Sequence, residues 1–333
     1  MSTTSARERP RTALVAGGSR GLGLLVAREL AGRGLRTTIC ARDPEEVERA
    51  VRQLRQDHGL ELQGLVCDVA DGAAVRQMVR EVEREHGDID VAIHVAGVIQ
   101  AGPLTAVTED LFREAIDIMV WGPIHLALAV LPGMRERGFG RLGTVTSIGG
   151  VVSPPHLLPY ATAKFGAVGL SQGLHADLAG TGVTATTIVP GLMRTGSDRH
   201  ALFTGYPAKE YAWFSVAASL PLLSMDAERA ARLMVDAVLG GRPMVILTPL
   251  AKVATRFAGL APSTTTRLLR LASRALPTGS GPGAVVEGST ARRRLGSGVV
   301  DRLTTLGTRA AQRFNEVDTP EGDGRVEKRN RRD

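Results

Sequence analysis

Short apolar segments alternate with longer segments of helical periodicity over residues 11–248, and this alternation constrains the fold more than any other feature of the chain. The apolar segments are continuous, as expected for strands whose two faces are both covered by helices. We predict strands at residues 12–16, 36–40, 62–66, 91–95, 143–147, 184–189 and 244–247. Strict strand-helix alternation predicts an α/β fold with a doubly wound parallel sheet of about seven strands.

Composition divides the chain into four segments. Residues 1–10 are polar and predict a flexible N-terminus that runs into the first strand without the apolar core of a secretory signal. Residues 11–248 form the α/β domain, and residues 249–277 hold two basic, apolar stretches that predict amphipathic helices. Residues 278–333 begin with a Gly/Pro/Ser-rich linker, followed by one further predicted helix and a disordered basic tail. We therefore expect a C-terminal helical extension on the domain.

Charge is distributed unevenly along the chain. Residues 1–250 hold 25 Lys and Arg against 26 Asp and Glu, whereas residues 251–333 hold 16 against 8, so the net charge of +7 arises in the C-terminal region. A near-neutral domain argues against a nucleic-acid partner, which would need a basic face on the folded body. No run approaches the roughly 18 uncharged apolar residues of a membrane span. A cytoplasmic location is the default expectation.

The first strand leads into the glycine-rich sequence AGGSRGLG, residues 16–23. Gly17, Gly21 and Gly23 follow a strand and open a helix, where glycines allow a sharp turn and bring the backbone close to a pyrophosphate that meets helix N-terminal amides. A plain strand-to-helix turn is the alternative. The motif in this context favours a dinucleotide site in a Rossmann-like fold.

The end of the second strand distinguishes the two nicotinamide dinucleotides. An acidic residue there would bind a ribose 2′-hydroxyl, whereas an Arg would accommodate a 2′-phosphate. The sequence is CARD, with Arg42 at this position, and Arg20 in the glycine-rich loop can approach the same phosphate. Two arginines converging on one phosphate predict NADP(H), with solvated surface arginines as the alternative. The next residue, Asp43, is a candidate N-cap of the following helix.

Tyr160 and Lys164 lie four positions apart in the sequence YATAK. On a helix this spacing places both side chains on one face, where an ammonium lowers the pKa of a neighbouring phenol from its usual value of about 10. Ser147 ends the fifth predicted strand, at the sheet edge where doubly wound folds bind ligands. A chance surface pair is the alternative for the Tyr and Lys alone. The three residues together predict proton transfer to or from a substrate oxygen that Ser147 holds.

These motifs together resemble the short-chain dehydrogenase/reductase family. AGGSRGLG, CDV at 67–69, HVAG at 94–97, Ser147, YATAK and PGLMRT at 190–195 occur in the family's order and spacing over residues 11–248. The resemblance implies that Ser147 polarises a carbonyl, Tyr160 is the general acid/base, and Lys164 lowers the Tyr pKa and holds the nicotinamide ribose. The cofactor-binding residues that it implies are Gly17, Ser19, Arg20, Gly21, Leu22, Gly23, Arg42, Asp68, Val69, His94, Ala96, Gly97, Tyr160, Lys164, Pro190, Gly191, Leu192 and Thr195.

The chain departs from the family pattern at Ala16, at His94 and Val95, and at Met119. Met119 stands where the family has an Asn that holds a water in the proton relay, and a thioether is a poor hydrogen-bond partner. The leading prediction is an NADP(H)-dependent oxidoreductase that interconverts an apolar ketone or aldehyde and its alcohol. The alternative is a non-catalytic, NADP-binding regulatory or scaffold protein whose relay has decayed at Met119. The intact Ser147, Tyr160 and Lys164 favour the enzyme.

Aromatic residues cluster directly after PGLMRT, in the region that forms the mobile substrate lid in the family. The cluster suggests an apolar substrate covered by aromatic faces, and a small packing cluster under a loop is the alternative. Its members are Phe203, Tyr206, Tyr211, Trp213 and Phe214, with His156, Leu157 and Leu158 as candidates for the opposite wall.

The two basic amphipathic stretches are compatible with contact to an anionic membrane, but packing on the domain or on a second subunit is the preferred expectation. Members of the family commonly form dimers or tetramers, so a homodimer or homotetramer is expected here. Cys40 and Cys67 each lie in or at the end of an apolar run and predict buried free thiols. The histidines show no ligand spacing, and no metal site is expected.

Overall fold

The computed structural model describes residues 11–220, 224–278 and 284–316. The predicted flexible N-terminus, the predicted tail beyond residue 316 and residues 279–283 of the predicted linker lie outside this part. The strands, in chain order, are β1 (Thr12–Ala16), β2 (Arg36–Ala41), β3 (Leu62–Val66), β4 (Val91–His94), β5 (Gln100–Ala101), β6 (Gly140–Val145), β7 (Val183–Val189), β8 (Leu192–Arg194), β9 (Leu202–Phe203), β10 (Ser224–Asp226), β11 (Met244–Ile246) and β12 (Val286–Glu287).

Seven strands form one parallel sheet in the order β3-β2-β1-β4-β6-β7-β11. They are the seven that the sequence predicts, so the doubly wound fold is confirmed. The fifth of them, β6, begins three residues before its predicted start and ends at Val145. The strand order reverses between β1 and β4, which creates a crevice beyond the carboxyl ends of these strands.

The helices cover both faces of this sheet and extend beyond it. In chain order they are α1 (Gly21–Gly32), α2 (Pro44–His58), α3 (Gly72–His86), α4 (Glu109–Ile116), α5 (Gly122–Arg137), α6 (Leu158–Asp177), α7 (Pro207–Ser219), α8 (Ala227–Leu239), α9 (Pro249–Leu260), α10 (Pro262–Ala272), α11 (Gly288–Leu295), α12 (Gly298–Leu303) and α13 (Thr305–Arg313).

Two apolar layers enclose the sheet, one on each face. One layer joins residues of α1, α2 and α8 to the sheet, and the other joins residues of α3, α5 and α6. Successive residues of β1 alternate between them: Ala13 and Val15 pack in the first layer, Leu14 and Ala16 in the second, and all four are fully buried. A strand buried on both faces needs apolar residues at every position, which explains the continuous apolar runs in the sequence.

A π-helical turn, Asp117–Trp121, joins α4 to α5. Within the described residues, the combined helix Glu109–Arg137 is the one segment long and apolar enough to cross a membrane, which was not predicted from the sequence. Core helices of soluble proteins can be equally long and apolar. Leu126, Val130 and Met134 of this helix are buried in the second apolar layer, so we interpret it as a core helix.

The described part of the C-terminal extension contains five helices, α9 to α13. The first two follow the predicted amphipathic stretches, and α10 has no buried residue. The chain then returns to the body, where β12 pairs antiparallel with β9 (Val286 opposite Phe203). Phe314, directly after α13, is buried in the first apolar layer. The chain therefore ends its described course beside α1.

Candidate active site

A cleft of about 1250 Å³ lies beyond the carboxyl ends of the parallel strands. Most of the predicted cofactor-binding residues line it: Gly17, Ser19, Arg20, Leu22, Gly23, Arg42, Asp68, Val69, Ala96, Gly97, Tyr160, Lys164, Pro190, Gly191, Leu192 and Thr195. Ser147 lines the same cleft. Two predicted residues, Gly21 and His94, are not among the lining residues. The predicted site is thus one continuous surface except at these two positions.

The glycine-rich loop has no room for side chains at two of its glycines. Gly17 has φ +85°, and a Cβ on it would overlap the backbone of Ala96. A Cβ on Gly23 would overlap the carbonyl oxygen of Gly17. The amides of Gly17 and Gly18 donate to the carbonyl of Cys40, at 2.9 and 3.1 Å, which holds the loop against β2. This tight turn brings the backbone to the cleft surface, so the residues present fit a bound dinucleotide.

The two predicted phosphate-binding arginines have different surroundings. Arg42 is exposed on the cleft wall, and the carboxylate of Asp43 next to it caps α2 by accepting from the amides of Glu45 and Glu46. The guanidinium of Arg20 is instead paired with Glu46. Glu46 also accepts a hydrogen bond from the Ser19 hydroxyl, at 3.0 Å. Sequence reasoning missed Glu46, because its helical position reads as an ordinary exposed residue of α2.

Ser147 is held by the backbone at the end of β6. It caps a short 3-10 turn, its Oγ accepts from the amide of Gly149 at 3.0 Å, and the amide of Ile148 donates to the Pro190 carbonyl at 2.8 Å. The side chains of Tyr160 and Ser147 lie next to each other: a Cβ on Gly149 would lie 3.0 Å from the Tyr160 ring and 3.4 Å from the Ser147 Oγ. The predicted serine and tyrosine therefore meet in the cleft, next to the loop that contains Pro190.

Tyr160 and Lys164 share one face of α6, as predicted. The Lys164 ammonium donates to the carbonyl of Val145 at 2.8 Å and lies 5.8 Å from the centre of the Tyr160 ring. Burial lowers the pKa of Lys164 to about 8. Burial also raises the pKa of Tyr160, against a smaller lowering effect of the neighbouring Ser147 side chain. The expectation that Lys164 lowers the Tyr160 pKa is not what this structure shows, because burial outweighs the other influences on the phenol.

Met119 lies in the π-helical turn and is only 1% exposed. A Cβ on Gly97 would lie 3.3 Å from the Met119 sulfur and 3.6 Å from the Lys164 ammonium nitrogen. The thioether therefore adjoins the space between Gly97 and Lys164. A π-helical turn at this position is in keeping with the frequent occurrence of such turns at functional sites.

His94 is buried at the end of β4, and its Nε2 has no hydrogen-bond partner. Burial, with a smaller contribution from the Lys164 charge, lowers the pKa of His94 to about 3, so the ring is neutral. A Cβ on Gly122 would lie 2.6 Å from that nitrogen. His94 is thus buried outside the cleft lining, and its assignment as a cofactor-binding residue stays a prediction. Within the described residues, no group of His, Cys, Asp or Glu could hold a metal ion, and Cys40 and Cys67 are buried and free.

The aromatic cluster is divided between buried residues and residues that line the cleft. Phe203 and Tyr211 are buried and pack edge to face, with ring centres 5.7 Å apart. Trp213 and Phe214 line the cleft, whereas Tyr206 is exposed and absent from the lining. Part of the cluster is thus a packing core and part is cleft wall.

A buried carboxylate joins the aromatic helix to the loop that precedes Tyr160. Glu210 of α7 is fully buried. It accepts a hydrogen bond from the indole nitrogen of Trp213 at 2.7 Å and pairs with His156 Nδ1 at 2.9 Å. His156 has φ +65°, a left-handed conformation that a histidine rarely adopts. The pairing holds Trp213 at the cleft, and Leu157, also in the lining, forms part of the predicted opposite wall.

The chain is similar to known dehydrogenases and reductases. A family model described as short chain dehydrogenase matches residues 11–202. A provisionally assigned ketoacyl reductase of the granaticin polyketide synthase from Streptomyces violaceoruber is 36% identical over 185 residues, which is 55% of this chain and 68% of that protein. Dehydrogenase/reductase SDR family member 4 from Rattus norvegicus is 34% identical over 186 residues, 56% of this chain and 66% of the rat protein.

Solved structures extend the match over more of the chain. The actinorhodin polyketide ketoreductase with NADPH has a TM-score of 0.64 at 28% identity, covering 72% of this chain and 95% of that one. A gluconate 5-dehydrogenase from Burkholderia cenocepacia, solved with NADP and tartrate, has a TM-score of 0.63 at 27% identity, covering 73% and 95%. A short-chain dehydrogenase from Streptomyces avermitilis covers 83% and 99%, with a TM-score of 0.68 at 25% identity.

Proposed function

The chain belongs to the short-chain dehydrogenase family, and we propose that it interconverts an apolar ketone or aldehyde and the corresponding alcohol. It is an NADP(H)-dependent oxidoreductase of CH–OH groups, as its relatives and NADP-bound structural neighbours indicate. One observation carries the proposal about its chemistry: the side chains of Tyr160 and Ser147 adjoin each other inside the cleft that the glycine-rich loop lines.

The protein groups at this point can handle a proton and a carbonyl oxygen. Bound NADP(H) supplies or accepts the hydride. The Ser147 hydroxyl, fixed by the Gly149 amide, donates to the substrate oxygen and orients it. Tyr160 gives a proton to that oxygen during reduction and removes it during oxidation. Lys164 lies in the same cleft and carries a positive charge below a pH of about 8, which suits its proposed role of holding the nicotinamide ribose.

Aromatic and aliphatic side chains support an apolar substrate. Trp213, Phe214 and Leu157 line the cleft together with Tyr160. Aromatic faces bury a large apolar area, and few polar groups are needed beside them to orient a ligand. The pairing of Glu210 with Trp213 and His156 keeps this wall in place.

A turnover assay with a separate binding assay tests the proposal. NADPH oxidation is measured across a panel of ketones and aldehydes of increasing apolar size, and NADPH binding is measured by nucleotide fluorescence. We expect micromolar binding of NADPH and turnover that increases with the apolar area of the carbonyl compound. Binding of NADPH without turnover of any compound would instead support the non-catalytic regulatory or scaffold protein, which the burial of Met119 in the relay position favours.

We further propose a homodimer or homotetramer. Trp121, Leu128 and Phe165 are exposed, at 49%, 66% and 46%, on the neighbouring helical segments around α5 and α6. An apolar patch on adjacent helices is typical of a face that a second copy covers. Light scattering of the wild type and of Leu128→Glu should show a multimer and a smaller species, respectively. A wild-type monomer at micromolar concentration would contradict this assignment.

The consecutive helices α9 and α10 support peripheral contact of a cytoplasmic protein with an anionic membrane. Residues 249–276 contain five Lys or Arg and no Asp or Glu. Several of its large apolar side chains are exposed: Val253, Phe257, Leu260, Leu268 and Leu271. Exposed apolar and basic groups on one element suit the headgroup region of anionic lipids.

Vesicle co-sedimentation of the full chain tests this contact. We expect binding to vesicles of phosphatidylcholine with phosphatidylserine, weak binding to phosphatidylcholine alone, and loss of binding in Arg267→Glu/Arg270→Glu/Arg274→Glu. Equal binding of the wild type and this variant would contradict the proposal. If the variant differs from the wild type in oligomeric mass, helices α9 and α10 belong to a subunit interface instead.

A further inference from the structure

The residues after α13 lie directly on the glycine-rich loop. The carbonyl of Phe314 accepts a hydrogen bond from the amide of Gly21 at 2.7 Å. Asn315 has φ +55°, and its side-chain amide donates to the carbonyls of Ser19 at 2.8 Å and Glu46 at 3.2 Å. A segment almost 300 positions further along the chain is thus bound to the loop where α1 begins.

The carboxyl group of Glu316 fills the space above the first residue of α1. It is 4% exposed, and a Cβ on Gly21 would overlap its Oε1. Its Oε2 lies 3.6 Å from Arg20 Nε and 3.5 Å from His200 Nε2, and it has no hydrogen-bond partner. A buried carboxylate oxygen without a hydrogen bond is costly, so this contact is poised to be exchanged for a better one.

The N-terminus of α1 is the position at which a pyrophosphate is expected. α1 has no acidic residue in its first turn and no side-chain cap at Arg20, so its positive end and free amides attract an external anion. The Phe314 carbonyl takes one of these amides, and the Glu316 carboxyl supplies an anionic group at the same end. The C-terminal segment and a dinucleotide pyrophosphate would therefore use the same helix terminus.

We propose that the segment Phe314–Glu316 competes with the phosphates of NADP(H) for the N-terminus of α1, and that cofactor binding displaces it. This inference rests on the proposed NADP(H) site and adds an internal competitor that sets the affinity of that site.

The competition should depend on pH. Burial raises the pKa of Glu316 to about 8, so the group is mostly neutral below that pH and anionic above it. The charges of Arg20 and Arg199 favour the charged form of this carboxyl group, whereas those of Asp198 and Glu46 oppose it. His200 also faces it, with Nε2 3.5 Å from Glu316 Oε2 and Nδ1 paired with Glu287. An anionic Glu316 repels the cofactor phosphates and holds Arg20, so it should compete best at alkaline pH.

Fluorescence titration with NADPH tests the competition without any turnover. We expect Glu316→Gln to bind NADPH about 5- to 50-fold more tightly than the wild type at pH 9, the range for one helix-terminus charge and one hydrogen bond. The difference should shrink at pH 6.5. The matched control is Glu61→Gln, which removes an exposed carboxylate remote from the loop and should leave the affinity unchanged. Equal or weaker binding by Glu316→Gln at pH 9 would overturn the proposal.

Hydrogen exchange of the wild-type chain is a second test that needs no variant. Saturating NADP⁺ should slow exchange in residues 17–23 and speed it in residues 311–316, where the Phe314 and Glu316 amides donate to α13 carbonyls. Slower exchange in both regions would mean that the segment stays in place and would refute displacement. A wild type that binds no NADPH at all would remove the proposed function itself, which is a different result from unchanged affinity in the Glu316 variant.

Discussion

The two ends of the cleft are built in different ways. At the catalytic end, Ser147, Tyr160 and Lys164 lie within 18 residues of sequence and are held by β6, β7 and α6 of the main fold. At the phosphate end, the glycine-rich loop and Arg20 also contact Glu316, which belongs to the C-terminal extension. Local sequence thus places the predicted proton-transfer groups together, whereas the loop predicted to hold the cofactor phosphates also contacts a distant part of the chain.

The largest expected effect is at the catalytic end. Tyr160→Phe removes the hydroxyl that we propose as the general acid/base, so kcat should fall by about 10²- to 10⁴-fold, the usual contribution of a general acid. The dissociation constant for NADPH should stay within a factor of about 3, since the phosphate end is untouched. Stopped-flow turnover and fluorescence titration measure the two quantities. The control Tyr206→Phe changes an exposed tyrosine outside the cleft lining and should keep full activity. Retained turnover in Tyr160→Phe would contradict the proposed role of Tyr160 as general acid/base.

The next effect sharpens the role of the phosphate end. Arg42→Ala removes the exposed guanidinium on the cleft wall, and NADPH should bind about 10- to 100-fold more weakly, as expected for loss of a charge-assisted hydrogen bond. NADH, which lacks the 2′-phosphate, should bind as before. Competitive titration with both nucleotides gives the ratio. Arg52→Ala, which removes an exposed arginine of α2 paired with Glu48, is the control. Equal losses for both nucleotides would place Arg42 outside the 2′-phosphate site.

Met119 tests whether the catalytic end is complete. Met119→Asn supplies a hydrogen-bonding amide between Gly97 and Lys164, and we expect kcat to rise by up to about tenfold with unchanged NADPH affinity. The buried amide lacks partners of its own, so the melting temperature should fall by about 2–4 °C. A lower kcat would show that the thioether is not the weak point of the relay. Met134→Asn, in the same apolar layer but remote from the cleft, controls for the cost of a buried amide.

The smallest effect contrasts the two ends through pH. The pKa of Lys164 is lowered to about 8, so above that pH the unfolded chain binds the proton that the folded chain has lost, and stability rises towards pH 10.5. The pKa of Glu316 is raised to about 8, so between pH 4.5 and 8 the folded chain holds the extra proton, and stability falls as pH rises.

Melting curves across pH separate these two contributions. The wild type should lose stability as the pH rises from 4.5 to 8, and Glu316→Gln should not, a difference of about 2–4 °C in melting temperature. The wild type should gain stability as the pH rises above 8, and Lys164→Met should not. Parallel pH profiles of the wild type and both variants would contradict the assigned pKa values.

Sequence patterns predicted the main sheet well because each of its strands is buried on both faces. Ala13, Leu14, Val15 and Ala16 must all be apolar for that reason, and the pattern is visible without a structure. The short strands β5, β8, β9, β10 and β12 were missed, since two or three residues carry no detectable periodicity. The N-cap predicted at Asp43 is confirmed by the hydrogen bonds that its carboxylate accepts from the first amides of α2.

The candidate site was predictable where chemistry requires a particular residue type. Glycines are needed at positions 17 and 23 because a Cβ would overlap backbone atoms, and the YATAK spacing follows from the helical repeat. The motif position of His94 does not reveal that the ring is buried outside the cleft lining, so its assignment as a cofactor-binding residue stays a prediction. The predicted lowering of the Tyr160 pKa by Lys164 is not found, because burial, which cannot be read from spacing, raises that pKa.

The order of strands and helices, the glycine-rich loop and the candidate proton-transfer groups can all be read from the sequence, because they depend on local periodicity and on residue chemistry. Folding of the whole chain is what brings Glu316 to Gly21, pairs Glu46 with Arg20, and joins His156 to Trp213 through Glu210. These contacts join residues that are far apart along the chain or have no characteristic motif, and burial of the charges involved becomes defined only when the whole chain is folded.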